Sequence, residues 1–217
     1  MAPTLLLTRP LAASQRFARM LGRQDAVISP IIRIVPVAHD AGMLAAARGL
    51  VFTSAHAVPA AGPGQARQAF CVGPATAKAA RAAGFAVTEG PGDAAGLAPM
   101  LAGLGPGWVH PHGAHLAARL PVPGVVVYDQ QAQPLSSCAQ ALLAGAGPVI
   151  LPLFSPRSAR LAGMAAEGAR ADLWIVAISA AVAQAWPGPS ARVVVAGSPD
   201  AAGMAAAVNT LLAGEQT

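Results

Sequence analysis

The chain of 217 residues is poor in charged residues, aromatic rings and cysteine. Charged residues make up 11% of it and aromatic residues 4%, and Lys78 is its one lysine. The basic residues are scattered and form no run of five or six, so we expect no nucleic-acid partner. The formal net charge is still +5. An excess of arginine over carboxylates favours a small acidic ligand.

Several kinds of protein are excluded by missing signals. Cys71 and Cys138 show no metal or redox spacing, and we expect two buried free thiols in a reducing compartment. The start, MAPTLLLTRP, lacks the basic segment of a secretory signal. No apolar run reaches the ~18 residues that a membrane span needs. We therefore expect a cytoplasmic protein that does not act at a membrane.

Motifs of common enzyme classes are missing as well. The chain has no G-x-S-x-G elbow and no G-x-x-x-x-G-K-[ST] loop, which excludes serine hydrolases of that fold and P-loop enzymes. The glycines of residues 90–96, GPGDAAG, lack the spacing of a dinucleotide loop. His110, His112 and His115 could ligate zinc, but no carboxylate ligand accompanies them, and we expect no metal.

The chain instead contains an internal duplication. The motif DAAGLA at 93–98 returns as DAAGMA at 200–205, and earlier segments match in the same order at similar offsets of about half the chain. The matched segments are 50–58 with 151–159, 69–80 with 174–185 and, loosely, 13–21 with 113–121. Two similar lobes predict a cleft between them, where ligands usually bind.

Short apolar runs alternate with amphipathic stretches throughout, which predicts an α/β fold with parallel sheets. One amphipathic stretch carries Phe17, Met20 and Leu21 on one face. Two segments, 27–37 and 125–134, are longer and more extended than the other runs. They suit connectors between lobes, and they equally suit ordinary strands.

Small or hydroxylated residues follow five of the apolar runs directly. In a parallel sheet such turns lie along the carboxyl edge, where ligands bind in open α/β folds and helix N-termini attract anions. A serine at such a turn is also an ideal helix N-cap, and most such serines do nothing else. The five turns are LTRP (7–10), FTSA (52–55), VGPATA (72–77), FSPRSA (154–159) and ISAAVA (178–183).

The ordered set LLLTRP, LVFTSAHAV, CVGPATAKAARAAGF, VVVYDQQ, LPLFSPRSA, VAISAAVAQA and VVVAGSPDAAGM resembles the uroporphyrinogen-III synthase family. The resemblance covers nearly the whole chain. It implies two similar parallel-sheet α/β lobes from an internal duplication, joined by two extended linkers, with a cleft between them. The implied lobes are 1–33 plus 132–217, and 38–125; the implied linkers are 33–38 and 125–132.

The family closes hydroxymethylbilane to uroporphyrinogen III, inverting ring D through a spirocyclic intermediate and releasing water, without a metal or organic cofactor. The resemblance implies that Tyr128 helps the hydroxyl group to leave and that Thr76 contacts a substrate carboxylate. It also implies binding positions at Arg9, Ser54, Gly73, Ser155, Ser158 and Ser179. We expect a monomer that meets the upstream bilane-forming deaminase transiently.

The sequence departs from the family pattern at three places. His56 stands where asparagine is common, and Val182 stands where a threonine often lies. The segment HPHGAH (110–115) lacks the usual basic residue at its strand end, and His110 or His112 could replace that residue if protonated.

A second interpretation remains open. A cytoplasmic two-lobed protein that binds a small anion without catalysis would also show few catalytic side chains. The isomer composition of the product formed from hydroxymethylbilane separates the two interpretations.

Overall fold

The computed structural model describes residues 2–116 and 118–213, which form eleven β-strands, eight α-helices and a 3₁₀ helix over Ala55–Ala61. The strands are β1 (Thr4–Leu7), β2 (Val27–Ile28), β3 (Ile32–Pro36), β4 (Gly49–Phe52), β5 (Gln68–Cys71), β6 (Ala86–Glu89), β7 (Trp108–Gly113), β8 (Gly124–Ala132), β9 (Pro148–Leu153), β10 (Asp172–Ala177) and β11 (Arg192–Val195). The helices are α1 (Leu11–Met20), α2 (Ala41–Ala46), α3 (Pro74–Ala82), α4 (Ala94–Leu101), α5 (Ser137–Ala144), α6 (Pro156–Ala165), α7 (Ala180–Gln184) and α8 (Ala201–Ala213).

The chain divides into two compact units. Unit 1 is Met1–Arg33 with Ala132–Thr217, and unit 2 is Ile34–Gln131. Unit 1 holds a sheet in the order β11-β10-β9-β1-β2, in which every pair is parallel. β1 and β11, from opposite ends of the chain, lie in this one sheet.

Unit 2 holds most of a six-stranded sheet in the order β3-β8-β7-β4-β5-β6. The four pairs from β8 to β6 are parallel, as the apolar runs predicted. Segments 33–38 and 125–132 contain most of β3 and β8, which are neighbours at one edge of this sheet.

The duplication is visible in the strand orders. β4, β5 and β6 follow one another in unit 2 as β9, β10 and β11 do in unit 1, and β7 lies beside β4 as β1 lies beside β9. The repeated DAAG motif forms the same helix start twice. Asp93 Oδ1 accepts a 2.7 Å hydrogen bond from the Gly96 N–H, and Asp200 Oδ1 accepts one of 2.7 Å from the Gly203 N–H. Each aspartate is thus an N-cap that satisfies a free amide of the first turn.

Two local expectations fail. Residues 114–116 and 118–121, matched loosely with the first helix, form no helix but a connection from β7 to β8. Met20 was placed on the apolar face of α1, yet it is 56% exposed, because α1 buries Ala13, Ser14, Phe17 and Ala18 instead. Phe17 packs with Leu5, Trp174 and Met204 in the core of unit 1.

Every helix within the described residues falls short of the length and apolarity that crossing a membrane requires.

Candidate active site

The sheet of unit 1 has one point where the chain order reverses. β1 lies between β9 and β2; the chain proceeds from β1 to β2 on one side and from β9 to β11 on the other. Ligands of open parallel sheets bind at the carboxyl ends of the strands at such a point. Arg9 follows β1 there, and Ser155 follows β9.

Arg9 is a half-buried cation at this reversal point. Its Cζ lies 3.9 Å from the ring centroid of Phe154, a cation–π contact. Burial, and then the charge of Arg16, lower the pKa of Arg9 to about 10, so the side chain stays charged at neutral pH. Within residues 2–116 and 118–213 its guanidinium has no carboxylate partner. A desolvated cation without an anion is the feature of unit 1 that most favours an acidic ligand.

The three candidate serines of unit 1 differ in what their hydroxyls already bind. Ser155 caps α6, since its Oγ accepts the Ser158 N–H at 3.2 Å. Ser158 is 8% exposed and its hydroxyl donates to the Ser155 carbonyl at 2.9 Å. Ser179 occupies the N-cap position of α7 without a capping bond from its side chain. The Ser158 hydrogen goes to that carbonyl, so the 2.8 Å contact between the two Oγ atoms is donated by Ser155. Both hydroxyls are therefore used within this turn, whereas the hydroxyl of Ser179 makes no capping bond.

Unit 2 has a corresponding reversal point between β4 and β7. The chain continues from β4 to β5 and β6 on one side, and returns to β7 and β8 on the other. Ser54 follows β4, and its Oγ accepts the His56 N–H at 3.2 Å. Ser54 thus caps the 3₁₀ helix, which is the ordinary role of such a serine.

Gly73 and Thr76 begin α3, directly after β5. Pro74 has no N–H, and the first intrahelical bond runs from the Ala77 N–H to the Gly73 carbonyl at 2.9 Å. The amides of residues 75 and 76 therefore precede any helical acceptor. A Cβ on Gly73 would lie 3.1 Å from Gly92 Cα, so this glycine permits the loop of Gly92 to pass close by. Thr76 is 5% exposed.

Tyr128 lies in the middle of β8 and is 5% exposed. Its ring lies flat against Gly113, where an added Cβ would come within 2.6 Å of the ring and 2.9 Å of Oη. The His56 ring meets it edge-on at 5.8 Å between centroids. Tyr128, His56 and His39 line one cavity of about 390 Å³. The Tyr128 ring therefore packs against Gly113 on one side and borders this cavity on the other.

His110 cannot serve as the missing cation. It is 2% exposed, and its Nε2 lies 2.9 Å from Thr53 Oγ1. Burial, and then the neighbouring His112, lower its pKa to about 4. The condition set for His110, that it be protonated, is therefore not favoured at neutral pH.

The low pKa of His110 predicts a pH-dependent stability. Between pH ~6.5 and about 4 the unfolded chain binds a proton that the folded chain does not. The free energy of unfolding should therefore fall as the pH falls through this window, by about 2–3 kcal/mol from this residue.

Urea unfolding at pH 7.5 and at pH 4.5 measures this difference in the free energy of unfolding. His110→Gln should lose this part of the pH dependence, and the control His115→Gln, at an exposed histidine, should keep it. Equal pH dependence in all three proteins contradicts the assignment.

No three His, Cys, Asp or Glu side chains of the described residues are grouped to hold a metal ion. His115 faces Asp129 instead, with 3.6 Å between Nε2 and Oδ1. Cys71 and Cys138 are both free, as predicted. Burial raises the pKa of the Cys71 thiol to about 11. Cys138 is exposed, so the prediction of two buried thiols is wrong for Cys138, which lies on the solvent side of α5.

The comparison with protein families gives a match over residues 15–206, to a family model described as uroporphyrinogen-III synthase HemD. The chain belongs to the uroporphyrinogen-III synthase family. Members are lyases of porphyrin biosynthesis, and the reaction is the closure of hydroxymethylbilane to uroporphyrinogen III. These findings give no support to the alternative of a binding protein without catalysis. No curated protein matches the sequence.

Two solved structures share the fold. The uroporphyrinogen-III synthetase of Helicobacter pylori 26695 is 14% identical with a TM-score of 0.63, and the alignment covers 96% of this chain and 99% of that one. A mutant uroporphyrinogen III synthase of the extremely thermophilic bacterium Thermus thermophilus is 14% identical with a TM-score of 0.52, over 98% and 99% of the two chains. The two-lobed α/β architecture predicted from the sequence is therefore the fold of this family.

The candidate residues form one group in each unit. Arg9 and Ser155 flank the reversal point of unit 1, and Ser179 follows the next strand. In unit 2, Ser54 follows β4, while Gly73 and Thr76 follow its neighbour β5. Tyr128 lies on β8, beyond β7 in the same sheet.

Sequence reasoning missed residues that line cavities of unit 2. His39 was not singled out, and its position beside Tyr128 comes from packing of the loop after β3. Arg119 lines a second cavity together with His110 and His112, and it was missed because its segment was matched with a helix. The sequence signal for the cavity beside Tyr128 was His56, which stands where the family commonly has asparagine. This change replaces an amide side chain with an imidazole ring, and the ring meets Tyr128.

Proposed function

We propose that the carboxyl edge of each sheet binds carboxylates of hydroxymethylbilane and that Tyr128 supplies the proton for the departing hydroxyl group. The observation that carries the proposal is Arg9, the half-buried guanidinium stacked on Phe154 without a carboxylate partner among the described residues. A substrate with eight carboxylates provides the anion that this desolvated cation lacks.

The remaining contacts follow the same chemistry. In unit 1, Ser179 donates its hydroxyl hydrogen to a carboxylate, while Ser155 and Ser158 shape the start of α6 through the bonds between them and turn their hydroxyls to the substrate only when it replaces the bond between the two Oγ atoms. In unit 2, Ser54 and the turn of Gly73 and Thr76 present hydroxyls and free backbone amides. Donors of this kind recognise carboxylates without requiring a metal or organic cofactor.

In the proposed reaction the C–O bond of the hydroxymethyl group breaks, and the oxygen leaves as water with the hydrogen of the Tyr128 hydroxyl. Ring D attacks the resulting cation through its substituted α-carbon, and this new bond gives the spirocyclic intermediate. The bond between that carbon and the methylene bridge to ring C then breaks, and the bridge carbon bonds to the other α-carbon of ring D, which leaves ring D inverted in the macrocycle. The closing pyrrole finally loses its ring hydrogen as a proton, which restores the tyrosine. The apolar packing around Tyr128, including Gly113, holds the phenol in one orientation.

Thr76→Val tests the unit 2 contact. Removing the hydroxyl should reduce kcat/KM by the equivalent of about 1–3 kcal/mol, as for a hydrogen bond to a charged group. The control Thr88→Val removes an exposed hydroxyl from β6 and should leave the kinetics unchanged. A folded Thr76→Val protein with wild-type kinetics would reduce Thr76 to a helix residue without substrate contact.

We also propose domains 1–33 plus 132–217, and 38–125, with 33–38 and 125–132 as linkers. The two contact units with boundaries at 33/34 and 131/132 support this division. We further propose that the protein is a cytoplasmic monomer, that it contacts the upstream deaminase transiently and that it has no nucleic-acid partner. The scattered basic residues support the last of these, and the family reaction supports the contact with the deaminase. Size-exclusion chromatography with light scattering tests the monomer directly.

A further inference from the structure

A separate cavity of unit 2 lies beneath the connection between β7 and β8. It has a volume of about 330 Å³ and opens to solvent. We call it the histidine pocket; its lining includes His110, His112, Leu116, Arg119, Leu120 and Gly124. Residues 114–116 and 118–123 connect β7 to β8 without a helix and contribute Leu116, Arg119 and Leu120 to the lining. Its volume lies at the lower end of the range for small-molecule sites, which suits a ligand as small as one ring.

The two histidines give this pocket a defined polarity. The His112 ring is 9% exposed, and its Nδ1–H donates to the Gly113 carbonyl at 2.8 Å. With the proton on Nδ1, the Nε2 of the neutral ring is an acceptor. A Cβ at position 124 would lie 2.6 Å from this Nε2. Gly124 therefore makes room for the Nε2 edge of the ring, and His112 lies on the wall of the pocket, where a ligand N–H can meet this acceptor.

The rest of the lining is an apolar wall with one cation. Leu120 packs on the cluster of Val51, Leu97 and Trp108, so it presents a fixed apolar surface. The His110 and His112 rings lie 4.9 Å apart between centroids and add flat aromatic surface. Arg119 is exposed, and among the described residues it has no ion pair or hydrogen bond. An anionic group at the opening would meet it.

We propose that the histidine pocket binds one carboxylated pyrrole ring, with its N–H on His112 Nε2, its face on the leucine and histidine side chains, and its carboxylate on Arg119. The inference rests on the proposed function, because carboxylated pyrroles are the units of that substrate. It adds a binding site in unit 2 apart from the turns of Ser54 and Thr76 and from the cavity beside Tyr128.

The test is a titration with pyrrole-2-carboxylate, followed by NMR of protein labelled in its histidine rings. Saturable shifts of the His110 and His112 signals are expected. Cyclopentanecarboxylate lacks the N–H and pyrrole lacks the carboxylate, so both should bind at least about tenfold more weakly. Arg119→Gln should weaken pyrrole-2-carboxylate by about tenfold without changing the affinity for pyrrole. The control Arg48→Gln, at another exposed arginine of unit 2, should change neither.

Gly124→Ala provides a second, steric test, since its methyl group covers His112 Nε2 and should abolish the titration. Gly103→Ala, where an added Cβ meets nothing within 4 Å, should bind normally.

No saturable shift in the wild-type protein, or an affinity for pyrrole-2-carboxylate in Arg119→Gln equal to that of the wild type, would overturn the proposal. If Gly124→Ala fails to fold, the Arg119 comparison decides. A protein that binds the probe but forms no type III product supports the pocket and contradicts the proposed function. A protein that forms type III product without binding the probe overturns the pocket alone.

Discussion

Tyr128→Phe is expected to lower kcat by about 10- to 100-fold while KM and the fold stay close to wild type. General-acid assistance is typically worth ~100-fold or more, and backbone amides can share the task, so residual activity should remain. Loss of one oxygen does not disturb the packing of the ring on Gly113. Single-turnover kinetics with hydroxymethylbilane measure the effect.

The product of the Tyr128→Phe protein should still be mainly type III, since the shape of the site, and not the phenol, dictates ring inversion. Tyr128 is the one tyrosine of the chain, so loss of a single set of ring signals by NMR verifies the variant. Gly113→Ala is a useful companion, because its methyl group would displace the Tyr128 ring and should lower kcat as well. Near-normal turnover in Tyr128→Phe removes Tyr128 as the proton donor.

Arg9→Gln is expected to lower kcat/KM by about 100-fold or more, chiefly through KM. A desolvated carboxylate–guanidinium contact that loses one partner costs about 2–5 kcal/mol. Arg9→Lys keeps the charge but loses the planar fork and the stacking on Phe154, so an intermediate loss is expected. Steady-state kinetics against hydroxymethylbilane concentration separate the KM effect from kcat.

The control for Arg9 is Arg19→Gln, on the exposed side of α1 in the same unit. It removes the same charge from the same unit and should change kcat/KM by less than about twofold, because surface charges contribute little. Equal losses in the Arg9 and Arg19 variants would mean that net charge, and not a contact, attracts the substrate. Wild-type kinetics in Arg9→Gln would contradict the binding role.

The sheets could be predicted because their signal is local and repeated. Continuous apolar runs such as Leu5–Leu7 and Leu50–Phe52 need burial on both faces, and that requirement already specifies a parallel sheet covered by helices. The second DAAG motif independently repeats the helix start of the first, and both aspartates cap as such residues do. The candidate turns could be predicted for the same reason, since each directly follows a strand.

What could not be predicted depends on tertiary packing. The stripe containing Met20 fits a helix, but only the placement of α1 decides that Phe17 is buried and Met20 is not. His110 is a candidate cation in the sequence, and its low pKa comes from burial in the folded chain and then from the neighbouring His112. Val182 is 2% exposed, so the departure from threonine there puts a methyl group into a buried position. The histidine pocket depends on a loop whose sequence resembles a helix.

The isomer composition of the product tests the central claim most directly. Purified chain, incubated with hydroxymethylbilane without added metal or nucleotide, should yield mainly uroporphyrinogen III, measured as uroporphyrin isomers after oxidation. Spontaneous closure yields type I, so the ratio of III to I reports the enzyme alone. A product composition equal to that of the reaction without protein would contradict the assignment.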